Sequence, residues 1–228
     1  MTETQLLIVA VKVPLPGNVK TRLIGGAIGE EEAALLATSF LQDTLQTIRL
    51  LPTSARIQTA VALDGPATSL PHEVTLKGFQ AFPQIGNHLG ERLVQFFEYG
   101  FQTGARSVCV IGTDAPHLPG GFILEAFGRL ARHPQLVVLG PADDGGYFLI
   151  GASGKTPHTL LEGIPWSTGD VLAETLRRAV ATETSVSLLP SWYDVDTSPD
   201  LARLARDLRR GVVSAPQTQK TLRKLGFE

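Results

Sequence analysis

The chain has 228 residues, 43% of them hydrophobic, one cysteine, and 20 Lys+Arg against 22 Asp+Glu. That length suits one large α/β domain with a substantial core. The near-balanced charge argues against a nucleic-acid or anionic-membrane binder, the lone cysteine excludes an intrachain disulfide, and no apolar run approaches the ~18 residues of a membrane span.

No basic segment precedes the first apolar run, so a cytoplasmic protein is expected. That run, Leu6 to Val11, predicts a strand buried on both faces. Residues 12–29 are rich in proline, glycine and basic side chains and read as a long loop. Glu30 to Arg49 has helical spacing, with Ala34, Leu35, Ala37, Leu41, Leu45 and Ile48 near one face. Glu30, Glu31 and Glu32 suit the positive end of the helix dipole and Arg49 the negative end. Ile57 to Leu63 predicts a second strand, Val74 to Phe82 a weaker extended segment, and Leu89 to Phe101 a helix with Leu93, Phe96, Phe97 and Phe101 on its apolar side.

Ser107 to Ile111 is a run of small and β-branched apolar residues, the mark of a strand covered on both faces. Cys109 lies inside it and reads as a small core residue. A helix over Gly121–Ala131, strands at Leu136–Leu139 and Gly145–Gly151, a helix at Val171–Val180, a strand at Ser185–Leu189 and a helix at Pro199–Leu208 complete the pattern. Strand and helix alternate, which predicts an α/β fold with a mostly parallel central sheet flanked by helices. Residues 1–228 are expected to form a single domain, with 211–228 as a C-terminal arm.

Asp114 directly follows the Ser107–Ile111 strand, in Gly112-Thr113-Asp114-Ala115-Pro116. An acid at that place faces the crevice where open α/β sheets bind ligands, and a carboxylate there calls for a cationic partner. Oxygen-rich surroundings favour Mg²⁺ or Mn²⁺; capping of the next helix is the structural alternative. The first loop gathers Lys12, Lys20, Thr21 and Arg22 beside Gly17 and two prolines, suited to a di- or triphosphate or else to simple solvation. Its spacing is not that of a Walker loop. Glu91 and Arg92 open a helix whose start could meet an anion, or could simply be a helix start.

Gly140-Pro141-Ala142-Asp143-Asp144-Gly145-Gly146-Tyr147 is a polar turn between apolar runs. It has the Asp-Gly signal of a hairpin, yet two adjacent acids exceed what a turn needs. Asp143 and Asp144 could orient or deprotonate an acceptor hydroxyl, with Tyr147 on the pocket wall. Trp166 and Thr168 precede a helix, where Ser167 or Thr168 could cap it. Asp196 enters the last strong helix and could be a second metal ligand or a cap. The five histidines lack zinc-helix spacing, and neither a nucleophile elbow nor a dinucleotide fingerprint occurs.

These segments together resemble a bacterial family of glycosyltransferase-like proteins with the nucleotide-diphospho-sugar transferase (glycosyltransferase-A, Rossmann-like) fold. The carrying motifs are Lys12–Leu23, Gln84–Arg92, Gly112–Leu118, Gly140–Gly151, Trp166–Thr168 and Asp194–Leu201, in order along nearly the whole chain. Some members of that family are linked to arsenosugar biosynthesis, and the fold is shared with molybdenum-cofactor and phospholactate guanylyltransferases. The resemblance implies a three-layer architecture and a metal-dependent transferase that takes a nucleotide sugar, or a nucleoside triphosphate, plus a small-molecule acceptor. It also implies phosphate binding by Lys12, Lys20 and Arg22, with Mg²⁺ or Mn²⁺ held by Asp114 and Asp196. Asp144, Gly145 and Gly146 would form the acceptor-side turn. One departure stands out: where many such transferases carry Asp-x-Asp, this chain has Asp114 alone, so Asp196, Asp143 or phosphate oxygens must complete the metal shell.

Overall fold

The computed structural model of the chain describes residues 4–25 and 28–227. A seven-stranded sheet forms its centre, in the order β3-β2-β1-β4-β6-β5-β7. Its strands are β1 (Gln5–Lys12), β2 (Ile57–Asp64), β3 (Gln80–Pro83), β4 (Ser107–Ile111), β5 (Val137–Pro141), β6 (Tyr147–Ser153) and β7 (Val186–Leu188). Only β6 runs against its neighbours, β4 and β5, and every other pairing is parallel.

Side chains alternate across a strand, so one strand feeds two cores. In β1, Leu7, Val9 and Val11 enter one core with Leu41, Leu45 and Ile48 of α1 (Glu30–Arg49) and Ile123, Ala126, Phe127 and Leu130 of α3 (Gly120–Leu130). Leu6 and Ile8 enter the other, with Leu93, Phe96 and Phe97 of α2 (Leu89–Gln102). Leu160 and Leu161 of the short α4 (His158–Leu161) and Ala179 of α5 (Val171–Ala181) close that second face. Phe96 and Phe97 are fully buried, each contributing roughly 1.5–3 kcal/mol relative to exposure. The result is a three-layer α/β/α arrangement.

A third core lies outside the sheet. Ala33, Leu36 and Phe40 on the far side of α1 pack on Leu201, Leu204, Ala205 and Leu208 of α6 (Ser198–Arg209) and Leu222 of α7 (Pro216–Lys224). Asp43 of α1 accepts from the N–H groups of Gln217 (2.9 Å) and Thr218 (2.7 Å), fixing the start of α7.

Three expectations shift. Leu35 is 40% exposed, because α1 is sandwiched and Leu36 and Phe40 take the inward positions. The extended segment expected from Val74 shortens to Gln80–Pro83 at the sheet edge, with turns before it. Asp170, not Ser167 or Thr168, stands at the N-cap of α5, while the Thr168 hydroxyl donates to the Pro165 carbonyl instead (2.7 Å).

Candidate active site

A cavity of about 890 Å³ opens at the carboxyl ends of β1, β2 and β4, where parallel strands deliver their following loops. Its wall brings together Lys12, Lys20, Thr21 and Arg22 from the first loop, Asp114 after β4, Asp144, Gly146 and Tyr147 from the β5–β6 turn, Trp166 and Thr168 before α5, and Asp194 and Asp196 from the late chain. Residues separated by most of the sequence thus share one chamber.

Asp114, Asp194 and Asp196 meet around Lys20. The Lys20 ammonium forms ion pairs with Asp114 and with Asp196 (2.8 Å) and donates to the Val195 carbonyl (2.8 Å). It also lies 5.3 Å from the centre of the Phe40 ring. Burial would push this ammonium down, but Asp114 and Asp196 outweigh it and hold it above the ordinary lysine value. Lys20, expected from the sequence at the phosphates, is here the counter-ion of the acids. Lys12 and Arg22 remain exposed at the mouth.

Asp194 opens the Asp194–Leu201 motif but carries no assigned role in the sequence reading. Its Oδ1 is buried and has no hydrogen-bond partner. Burial, then the carboxylates of Asp114, Asp144 and Asp196, push its carboxyl up to about 7, with Lys20 opposing. The signal was available: in Asp194-Val195-Asp196 an extended backbone puts both acids on one side while Val195, wholly buried, enters the third core. Asp196 is free for the cavity because the Asp200 carboxylate and the Thr197 backbone and hydroxyl form the capping box of α6.

Four predicted residues do not line the cavity. The Asp143 carboxylate turns away and pairs with Arg203 (2.8 Å), whose guanidinium stacks 3.7 Å from the Tyr193 ring. Glu91 accepts from the Asn87 N–H (2.7 Å) and orders the approach to α2. Gly17 (φ 75°) turns the first loop under Glu30. Gly145 (φ 89°) needs to lack a side chain, since a Cβ there would stand 2.0 Å from the Gly169 carbonyl oxygen. Its own carbonyl accepts from Leu172 N–H (2.8 Å), docking the β5–β6 turn on α5.

Arg92 lines the wall, with Nη1 donating to Asp64 (2.8 Å) and Gln84 (3.2 Å) and Nε to the Gly86 carbonyl (3.1 Å). Gln84 in turn donates to the Val11 and Ala62 carbonyls, so this network braces the ends of β1 and β2. On the opposite wall, Tyr147 meets Trp166 edge-on (6.3 Å, 85°). Gly90 admits the indole, for a Cβ there would lie 2.5 Å from Trp166 Nε1.

The oxygen donors suit a hard divalent cation: Asp114, Asp196 and the unpartnered Oδ1 of Asp194. Among the described residues no three acidic, histidine or cysteine side chains already converge as a metal cage. Lys20 occupies the space between two of them.

Fold and chamber together define an α/β protein with a nucleotide-diphospho-sugar transferase architecture. Residues 47–168 match the family described as "Uncharacterized protein conserved in bacteria (DUF2064)". A crystal structure of a protein from Desulfovibrio desulfuricans G20, provisionally assigned as a nucleotide-diphospho-sugar transferase, shares 30% identity over 98% of this chain and 95% of that one, with a TM-score of 0.82. The chain belongs to this bacterial family. Two more distant structures share its fold alone. CMP:2-keto-3-deoxy-manno-octonic acid synthetase complexed with CTP aligns at 13% identity over 92% of this chain and 100% of its own (TM-score 0.57). A Mycobacterium tuberculosis H37Rv protein in complex with manganese aligns at 16% identity over 89% and 98% (TM-score 0.50). No curated protein matches. Among the described residues, no helix is long and apolar enough to cross a membrane.

Proposed function

We propose that this protein is a metal-dependent transferase that acts on a nucleotide-activated substrate and passes a sugar to a small-molecule acceptor. The observation that carries this reading is the single chamber in which Asp114, Asp194 and Asp196 face exposed Lys12 and Arg22. Carboxylates alone would repel a diphosphate, and cations alone would need no acids, so the combination suits a phosphate group shared with a metal ion. Asp114, Asp194 and Asp196 would hold Mg²⁺ or Mn²⁺. Bound there, the ion would neutralise charge on the leaving diphosphate. Lys12 and Arg22 would clamp the phosphates from the solvent side.

Asp144 takes the acceptor side. Its Oδ1 is held by the Gly146 N–H (2.9 Å), which leaves Oδ2 to accept an acceptor hydroxyl and take its proton. Asp143, held by Arg203, positions the turn instead. Tyr147 and Trp166 offer apolar ring surface against which a sugar can lie.

A second reading is nucleotidyl transfer from a nucleoside triphosphate, releasing pyrophosphate. The two exposed cations of the first loop favour it, and the CTP complex of the same fold supports it. Incubation with each nucleoside triphosphate and each common nucleotide sugar, with and without Mn²⁺, separates the two. Release of nucleoside diphosphate supports sugar transfer, and pyrophosphate with a trapped acceptor supports the second reading. Metal-independent nucleotide binding without turnover over a broad acceptor panel would overturn both.

A further inference from the structure

The Lys20 side chain is only 6% exposed, and its ammonium stands between the two acids assigned to the metal. A divalent ion bound by those same carboxylates needs oxygen contacts of about 2.0–2.6 Å. An ammonium in ion-pair contact with both acids would then sit within a few ångströms of the metal. At such separations a +1 and a +2 charge repel strongly even at an effective dielectric constant of about 20. Lysine and metal therefore compete for these carboxylates, since Lys20 already takes Oδ1 of each. We propose that Lys20 is a resident counter-ion that a divalent metal displaces, and that the displaced ammonium then meets the phosphates of the nucleotide. The proposal rests on the metal-dependent reading above and adds how the site is regulated.

The surroundings suit an exchange by side-chain rotation. Val19 and Leu23 are both buried and anchor the backbone on either side of Lys20. Lys20 itself has a left-handed backbone (φ 48°), which aims its stem inward between Phe40 and the acids. Its four-carbon stem carries a point charge with freely rotating donors, and it can swing towards the mouth without a loop opening. Thr21 and Arg22, the next two residues, line the same chamber, so the outward path ends among the groups that face the nucleotide. In the resting state Lys20 keeps Asp114, Asp194 and Asp196 from repelling one another. In the loaded state the metal takes over that task, and the lysine charge adds to Lys12 and Arg22. Metal alone thus binds against a competitor, while metal and nucleotide together each remove a cost from the other, the reciprocity that linkage demands.

The test uses the full chain and Mn²⁺ alone, with free Mn²⁺ read by electron paramagnetic resonance, on wild type, Lys20→Met and Lys20→Arg. The expected result is at least tenfold tighter Mn²⁺ binding by Lys20→Met, no tightening by Lys20→Arg, and a larger Mn²⁺-dependent rise in melting temperature for Lys20→Met than for wild type. A second measurement needs no variant: reductive methylation of Lys20 in wild type, read by mass spectrometry, should be slow without metal and several-fold faster with saturating Mn²⁺. Wild type that binds Mn²⁺ with Lys20 labelling unchanged, or Lys20→Met that binds Mn²⁺ no more tightly, overturns the exchange while leaving the metal-dependent reading intact. Failure of every protein to bind Mn²⁺, with or without nucleotide, overturns both.

Discussion

His117 is set to make the fold sensitive to acid. It lies in the segment after β4 and is 2% exposed, with the Tyr193 ring 4.1 Å and the Trp192 ring 5.3 Å away. Neither ring nitrogen has a hydrogen-bond partner. Burial pushes its pKa down to about 4, Asp207 opposing and Arg203 adding to the shift. The unfolded chain takes up the proton near pH 6.5, the folded chain only near 4. Between those values the unfolded state binds more protons, so the stability from neutral His117 is complete above 6.5 and lost as pH falls. From pH 7 to pH 5 this one group costs about 2 kcal/mol, from about 1.4 kcal/mol per unit. His117→Leu removes the titration without breaking a hydrogen bond. Other titrating groups are common to both proteins and drop out of the difference. Urea unfolding followed by tryptophan fluorescence at both pH values should show wild type losing about 2 kcal/mol more than the variant. Equal losses would refute the buried, neutral histidine.

Three further outcomes are expected. Gly145→Ala forces a side chain into a left-handed backbone and against the Gly169 carbonyl, and should cost about 3 kcal/mol in urea unfolding. Asp43→Ala removes the acceptor for two N–H groups of α7 and should cost about 2 kcal/mol, with hydrogen exchange quickened over 216–224 and unchanged in β1 and β4. Asp114→Ala should abolish Mn²⁺-stimulated nucleotide binding, measured by calorimetry; unchanged stimulation would remove Asp114 from its assigned role.

The layered fold was legible because apolar runs and helical spacing report burial directly. Ser107 to Ile111 is buried at every position, and the Glu30–Arg49 helix has the bounds its spacing predicts. What periodicity cannot report is which of two cores a side chain enters, so its spacing points Leu35 inward while Leu36 and Phe40 take the core. Within the chamber, residue type was legible and pairing was not. Asp143 and Asp144 are equivalent in sequence, but Arg203, sixty residues later, claims the first and leaves the second facing the cavity. Lys20 and Arg22 are alike in sequence, yet Lys20 reaches the acids while Arg22 stays exposed.

The late chain reaches the site through backbone pairing and brings two further acids to Asp114. Beyond β7, Leu189 N–H donates to the Leu139 carbonyl (2.8 Å), Trp192 N–H to Pro141 (3.0 Å), and Asp143 N–H to Trp192 (3.0 Å). The segment thus continues alongside β5 and then crosses to Asp114, whose carbonyl accepts from Val195 N–H (2.9 Å). Lys20 takes the Val195 carbonyl from the other side (2.8 Å). With both polar groups of residue 195 held and its side chain buried in the third core, the flanking Asp194 and Asp196 have one direction left, into the chamber. On the proposed metal reading, Asp-Val-Asp from a distant strand extension would stand in for an Asp-x-Asp pair after β4. The acids are assembled only when β5, β7 and the α6 core are all in place, so disruption of the third core should damage the site before it unravels the sheet. Leu204→Ala, outside the cavity lining but wholly buried in that core, would leave a void worth about 2–5 kcal/mol.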